Sequence, residues 1–376
     1  MSNIVAYIVS RELIAASSQL PSNRGRSVAV HALIHALRLS KHPHLLVLRP
    51  TPASRTALTA FHTRSYIDAV NSKKASEGDS DSSSDIEDAF GFDSDCPRFP
   101  LLASYVELVA GAVLTGAESL IDGRVGVAIA WDGGRHHARK DRAAGFCYVA
   151  DCVLALMRLK RTKQRIMYID LDVHYSDGVS DAFREPTRTR EPQILTLSIH
   201  HAAPGFFPPS PYAALPTPTS DPYSLSLPLH LGFSAATFGR VWRSVRAVRS
   251  AYDPAYVVLQ CGADALAGDP CGVANWCLSS ADPDGMGMLE VVADVLSWER
   301  VDALGEKLGE RLPSDTPIPD HQQFPIWFIL KFVQFDVPPG TMQDTNAEAD
   351  AGYLQEVEAC YDRVVQAINT RRAAGR

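Results

Sequence analysis

Apolar residues in this chain gather into short unbroken runs, most of them followed at once by a polar cluster. Ile4 to Val9, Val125 to Ala130, Ile166 to Ile169, Gln193 to Ile199 and Tyr256 to Gln260 have the length and continuity of strands buried on both faces. Between them, apolar residues fall at helical spacing in Arg26 to Leu39 (Val30, Leu33, Ala36, Leu37), in Leu101 to Leu120 and in Val149 to Leu159. The last of these runs into Lys160-Arg161-Thr162-Lys163, a basic patch suited to a helix C-terminus, where cations favour the dipole. A final helix is predicted over Tyr353 to Ile368, with Leu354, Val357, Tyr361, Val364 and Ile368 on one stripe. Strands alternating with helices predict an α/β fold, a single three-layer domain whose mainly parallel sheet is flanked by helices. Ligands in such folds bind beyond the carboxyl ends of the strands, and the polar clusters sit there.

Two stretches break the pattern. From Glu77 to Asp95 there are eight acidic residues and no Lys or Arg, interleaved with Ser80, Ser82, Ser83 and Ser84, which predicts a solvated loop. Between Pro204 and Pro228 prolines are dense enough to predict a stiff irregular loop. The bulk composition, 376 residues with 46% hydrophobic and 21% charged, is that of a globular protein with a large core. A net charge of -7 argues against a nucleic-acid surface and for a basic partner. No apolar run reaches the length of a membrane span and Met1-Ser2-Asn3 starts no signal peptide, so an intracellular protein is expected. Seven cysteines without a C-x-x-C pair read as reduced thiols.

The chemistry concentrates in Asp170-Leu171-Asp172-Val173-His174. Alternation on an extended chain puts Asp170, Asp172 and His174 on one side and Leu171 and Val173 on the other. With Asp264, which follows the last strand, Asp172 and His174 make a three-ligand set that keeps a coordination position for water, the composition of a catalytic metal site. Zinc (Zn2+) is the first choice, with ferrous iron (Fe2+) the alternative for so oxygen-rich a set. His136 and His137 lack the spacing of a metal pair and suit proton transfer, with Asp170 and Asp177 as the spare carboxylates to orient them.

Four segments carry a family resemblance: WDGGRHHARKDRAAGFCYVADCVLAL from Trp131, YIDLDVHYSDGVSDAF, SIHHAAPGFFP and VLQCGADALAGDP. Together they closely resemble the class I histone deacetylases, which implies an arginase/deacetylase-like fold over residues 1–346 and a C-terminal helix and tail over 347–376. The resemblance implies removal of acetyl groups from lysine, with acetylated histone tails or other acetyl-lysine proteins as substrates. It also implies possible corepressor proteins as partners, chromatin repression and a nuclear location, with the cytoplasm a second compartment. Neither sequence-specific nucleic-acid binding nor a membrane is implied. Asp172, His174 and Asp264 would hold zinc, and His136 and His137 would be the active-site histidines, paired with Asp170 and Asp177 respectively. Gly145, Phe146 and Phe207 would wall the acyl-lysine tunnel, Asp95 would hold the substrate backbone, and Asp170, Asp172, His174, Ser198 and Ile199 would bind potassium (K+). FHTRSYIDAV and FDSDCP look most like the branch that acts without obligatory large corepressor complexes.

Three departures stand out. Tyr175 and Ser176 replace a histidine and a glycine, and Pro209-Ser210-Pro211 replaces a glycine-threonine-glycine. The glycine-rich loop that bears the family's catalytic tyrosine has no counterpart where Trp298 passes to Val301, and only Tyr353 and Tyr361 follow Asp264. Either coding sequence is missing there or activity is impaired. Two rival readings follow: a catalytically impaired acyl-lysine-binding homologue, and an arginase-like two-metal hydrolase, for which Ala263 and Ala265 supply no extra carboxylates.

Overall fold

The computed structural model describes residues 4–36, 38–72, 89–92, 95–185, 191–267, 269, 343–346 and 351–374. Most of the acidic stretch and the Trp298–Val301 junction therefore lie outside the described residues. The architecture is α/β with parallel sheets flanked by helices, and the chain divides into two compact units, one reaching Arg158 and the other starting at Leu159.

In the first unit β1 (Val5–Ile8), buried throughout, lies between β2 (Leu45–Leu48) and β3 (Val127–Ile129), all parallel. Helices α1 (Arg11–Ser17), α2 (Arg26–Ala36), α3 (Arg55–Leu58), α4 (Arg64–Asn71) and α5 (Leu102–Ile121) surround it. Three of them start on hydroxyls that accept an N–H of the first turn: Ser10 from Leu13, Ser54 from Ala57 and Thr63 from Tyr66. Contrary to the sequence expectation, α5 is by length and composition apolar enough to cross a membrane. Its buried Tyr105, Val106 and Val109 belong instead to the core of this unit, with Leu13, Tyr66 and Tyr148. Helix α6 (Asp151–Lys160) follows, tied to α5 by the Arg158–Glu118 ion pair, and ends in the basic patch as predicted.

The second unit has the parallel order β6-β5-β4-β7, with β4 (Ile166–Asp170), β5 (Ile194–His201), β6 (Ser224–Leu229) and β7 (Tyr256–Gln260). β4 and β5 are buried along their whole length, as their continuous apolar character requires. The loop expected up to Pro228 ends earlier: β6 starts at Ser224 and contains Pro228, whose missing N–H is tolerated because β6 lies at the edge of the described sheet. Helices α7 (Asp177–Phe183), α8 (Ala235–Tyr252) and α9 (Ala351–Ala374) complete the unit. Helix α9 is held against α8 by the two-pronged Arg240–Glu358 pair at 2.7 and 2.8 Å and contributes Leu354, Val357 and Tyr361 to the core. No disulfide joins the described cysteines.

Candidate active site and metal centre

Register places the site. Asp170, the last residue of β4, stands opposite Ser198 within β5 and Gln260 at the end of β7, so three polar residues share one rung. Beyond it Leu171 N donates to Gln260 O (3.0 Å) and His201 N to Val173 O (2.8 Å), which keeps the chain extended. Leu171 and Val173 are buried while Asp172 and His174 stay half-buried on the other side, the alternation expected from the sequence. The Asp170 carboxylate accepts Asp172 N (3.0 Å) and the Tyr168 hydroxyl. Ser198 Oγ accepts Ser176 N (3.2 Å), and Ser198 and Ile199 are buried. The residues expected to hold a monovalent cation thus occur in one register neighbourhood.

Asp172, His174 and Asp264 each offer a ligand atom, all within 4.8 Å of one another. His174 Nδ1 lies 3.0 Å from Asp172 Oδ1 and 2.9 Å from Asp264 Oδ2. Val173 N donates to Asp264 Oδ1 (3.0 Å) and His174 N to Asp172 Oδ1 (2.9 Å), so the backbone aims both carboxylates inward. Gln260 Nε2 reaches Asp172 Oδ2 at 3.3 Å while its Oε1 accepts Gly262 N at 2.8 Å. A Cβ at Gly262 would fall 2.5 Å from Asp172 Oδ2, so the approach of the two segments requires glycine there.

The electrostatics favour positive charge. Burial, reinforced by the Asp172 charge, raises the Asp264 carboxyl to about 6. Burial opposes the imidazolium of His174, but hydrogen bonds and charge from both aspartates outweigh it and carry the group to about 9. Two carboxylates and an imidazole converging in this way fit a divalent cation, which would take the place of the shared proton. The His174 ring stacks on Phe206 (centroids 5.1 Å, 6°) and meets Phe207 edge-on (6.2 Å, 65°). Both phenylalanines line a cavity of about 360 Å³, together with Tyr175, His201 and Pro209, so two of the sequence departures shape it.

In the first unit His136 and His137 are buried with ring centroids 3.9 Å apart. Their loop is anchored by Asp151 at the start of α6, whose carboxylate accepts Gly134 N (2.9 Å), Arg135 N (2.7 Å) and Cys152 N (2.8 Å). Gly145 and Phe146 both have positive φ, 50° and 64°, in a two-residue turn closed by Ala144 and Cys147. An aromatic residue held there is rare, and it leaves Phe146 exposed. Asp95 is exposed, and Asp177 is buried in the first turn of α7, where its Oδ1 accepts Gly178 N (2.8 Å).

A sequence profile of the histone deacetylase domain matches residues 20–293, more than half of the chain. The chain belongs to the histone deacetylase family. Histone deacetylase 8 of Xenopus tropicalis is 33% identical to it, over 95% of this chain and 96% of that protein. Histone deacetylase 8 of Danio rerio is 34% identical over 85% of each, and that of Xenopus laevis 34% identical over 85% of this chain and 99% of its own length. The chain is therefore a class I histone deacetylase with the arginase/deacetylase-like α/β fold, a metal-dependent protein-lysine deacetylase and so an amide hydrolase.

Of the residues expected to serve the deacetylase, the structure brings Asp172, His174 and Asp264 together and sets Asp170 opposite Ser198, the neighbour of Ile199, on the adjoining strand. His136 and His137 belong to one unit and Asp170 and Asp177 to the other, so those two pairings remain what the resemblance implies. Sequence reasoning missed Asp151, Tyr168, Gln260 and Phe206 as supports. Asp151 alone carried a local signal, an acidic residue at a helix start.

Proposed function

We propose that this deacetylase hydrolyses acetyl-lysine on histone tails in the nucleus, with zinc held by Asp172, His174 and Asp264, and thereby represses transcription. The observation that carries the reading is the meeting of those three ligand atoms within 4.8 Å, two of them anionic. Bound there, zinc would supply Lewis acidity toward the acyl carbonyl and the attacking water. The chain's own residues do the rest. The two aspartates balance the charge of a divalent ion, and Phe206 fixes the plane of the His174 ring. His137 accepts a proton from the attacking water, and His136 assists departure of the lysine amine. The amide C–N bond breaks, the acyl carbon leaves as a carboxylate and the lysine nitrogen keeps the transferred proton. Gly145, Phe146 and Phe207 flank the methylenes of the substrate lysine, and Asp95 accepts its backbone amide hydrogens. Asp170, Asp172, His174, Ser198 and Ile199 hold potassium. A net charge of -7 suits basic tails, and corepressor proteins are the proposed partners.

The test is metal content together with turnover of an acetylated histone-tail peptide. One zinc per chain, loss of turnover on chelation and recovery on adding zinc are expected. Two ions per chain would point to an arginase-like site, and retained turnover in Asp264→Asn would end the proposal.

One observation favours a second reading, acyl-lysine binding without efficient turnover. The tyrosines after Asp264 both lie in α9, where Tyr353 gives its hydroxyl to Pro228 O and Tyr361 is buried in the core. Neither serves as an oxyanion donor, and the loss of one such donor lowers the rate by roughly 10²–10³. Tight binding of a metal-chelating inhibitor with turnover reduced by that factor would decide for it.

A further inference from the structure

Three buried side chains of the first unit form a hydrogen-bonded line that the chemistry above does not use. Tyr7 comes from β1, His31 from α2 and Asp132 from just beyond β3. The register Tyr7↔Ile129 brings Tyr7 to the end of the sheet where the chain leaves β3. The Tyr7 hydroxyl meets His31 Nδ1, and His31 Nε2 lies 2.9 Å from Asp132 Oδ2. All three residues are buried, at 5%, 7% and 6% exposure. One proton arrangement satisfies every group: the Tyr7 O–H donates to Nδ1 and the Nε2–H donates to the carboxylate. Burial, then the Asp132 charge, raise the Tyr7 phenol above its ordinary value, so it keeps the proton it donates.

The line ends at the head of the loop that carries His136 and His137. Asp132 is followed by Gly133 and Gly134, the softest backbone available, and then by Arg135, whose guanidinium donates back to Asp132 O at 3.2 Å. Asp151 fixes the middle of the loop through Gly134 N and Arg135 N. The start of the loop is closed by Gly133 N, which donates to Ala130 O at 3.1 Å, and Asp132 ties that point through His31 to β1 and α2. A buried carboxylate is unfavourable without such partners, so hydrophobic packing alone does not account for it.

We propose that the Tyr7–His31–Asp132 line positions the His136–His137 pair for deacetylation. The three are positioning residues that act through the loop backbone, and the proposal rests on reading His136 and His137 as the proton carriers.

The test uses the full chain as Asp132→Ala, Asp132→Asn and Tyr7→Phe, with kcat and KM for an acetyl-lysine peptide, zinc per chain, and hydrogen–deuterium exchange over residues 131–147. Asp132→Ala is expected to lower kcat about 100-fold with KM held within about twofold and zinc content unchanged. Asp132→Asn keeps an oxygen for the His31 Nε2–H and should recover about tenfold of that loss, while Tyr7→Phe should lower kcat about threefold. Exchange should rise about tenfold in residues 131–147 of Asp132→Ala and stay unchanged in residues 166–174. Unchanged kcat and exchange in folded Asp132→Ala overturn the proposal, as does a kcat loss accompanied by zinc loss or by faster exchange everywhere. Should Asp132→Ala fail to fold, the graded kcat of the other two variants at constant KM decides. A wild-type chain without turnover removes the proton-carrier roles of His136 and His137, and the exchange comparison still shows whether the line holds the loop.

Discussion

Asp151 in the first unit, buried, and the half-buried Asp172–Asp264 pair in the second are carboxylates put to opposite uses. Asp151 accepts three backbone N–H groups and has Arg135 nearby, so its acceptor capacity goes into fixing the chain. Asp172 and Asp264 each accept a backbone N–H as well, yet they converge on one imidazole and raise the affinity of that point for positive charge. A carboxylate whose acceptors go to backbone N–H groups builds scaffold, whereas two that share one imidazole create a cation site.

The comparison breaks most sharply at Asp264. Asp264→Asn should lose zinc by more than the roughly 10–100-fold that outer partners contribute, with turnover lost in parallel. In chelator, its urea midpoint should equal or exceed that of the parent, because a like-charge contact with Asp172 has gone. Asp151→Ala should do the reverse. Three backbone donors, one buried and two part-buried, lose their acceptor, so urea denaturation should show a loss of about 3 kcal/mol or more. A loss under about 1 kcal/mol would erase the distinction between the two kinds of carboxylate.

Acid sharpens the contrast inside the first unit. Buried His62 accepts Ala150 N on Nε2 (3.0 Å) and contacts Lys140 O through Nδ1 (3.2 Å); burial lowers its pKa to about 4. The folded value lies below the unfolded one, so this contribution is complete above about pH 6.5 and is lost as pH falls toward 4. At pH 5 the loss relative to pH 7 should be about 2 kcal/mol, and His62→Gln should flatten that part of the stability–pH curve. The smallest effect expected is that of Gln260→Ala, about a tenfold weaker zinc affinity in a competition titration with little change in melting temperature.

Strands buried on both faces were legible because their apolar runs are uninterrupted, and the period of two then sorted Asp172 and His174 from Leu171 and Val173. Strand β2 was not, since two of its four residues are exposed, and β6 was hidden by Pro228. Helix α8 was obscured by Arg240, Arg243, Arg246 and Arg249, although Ser234 caps it and Val241, Trp242, Val245 and Val248 form its buried face. Asp264 was legible because it follows a strand and completes a family motif. Gln260 and the Tyr7–His31–Asp132 line were not, because their meaning depends on partners up to 101 residues away that only the folded chain supplies.

The shared rung of Ser198, Asp170 and Gln260 makes the enzyme intolerant of odd-numbered changes in length. Deleting one residue from β4 would swap the parity of everything after it, turning Leu171 and Val173 toward the metal and the charged residues into the core. Removing two would preserve parity and shift the ligands along the strand by about 7 Å.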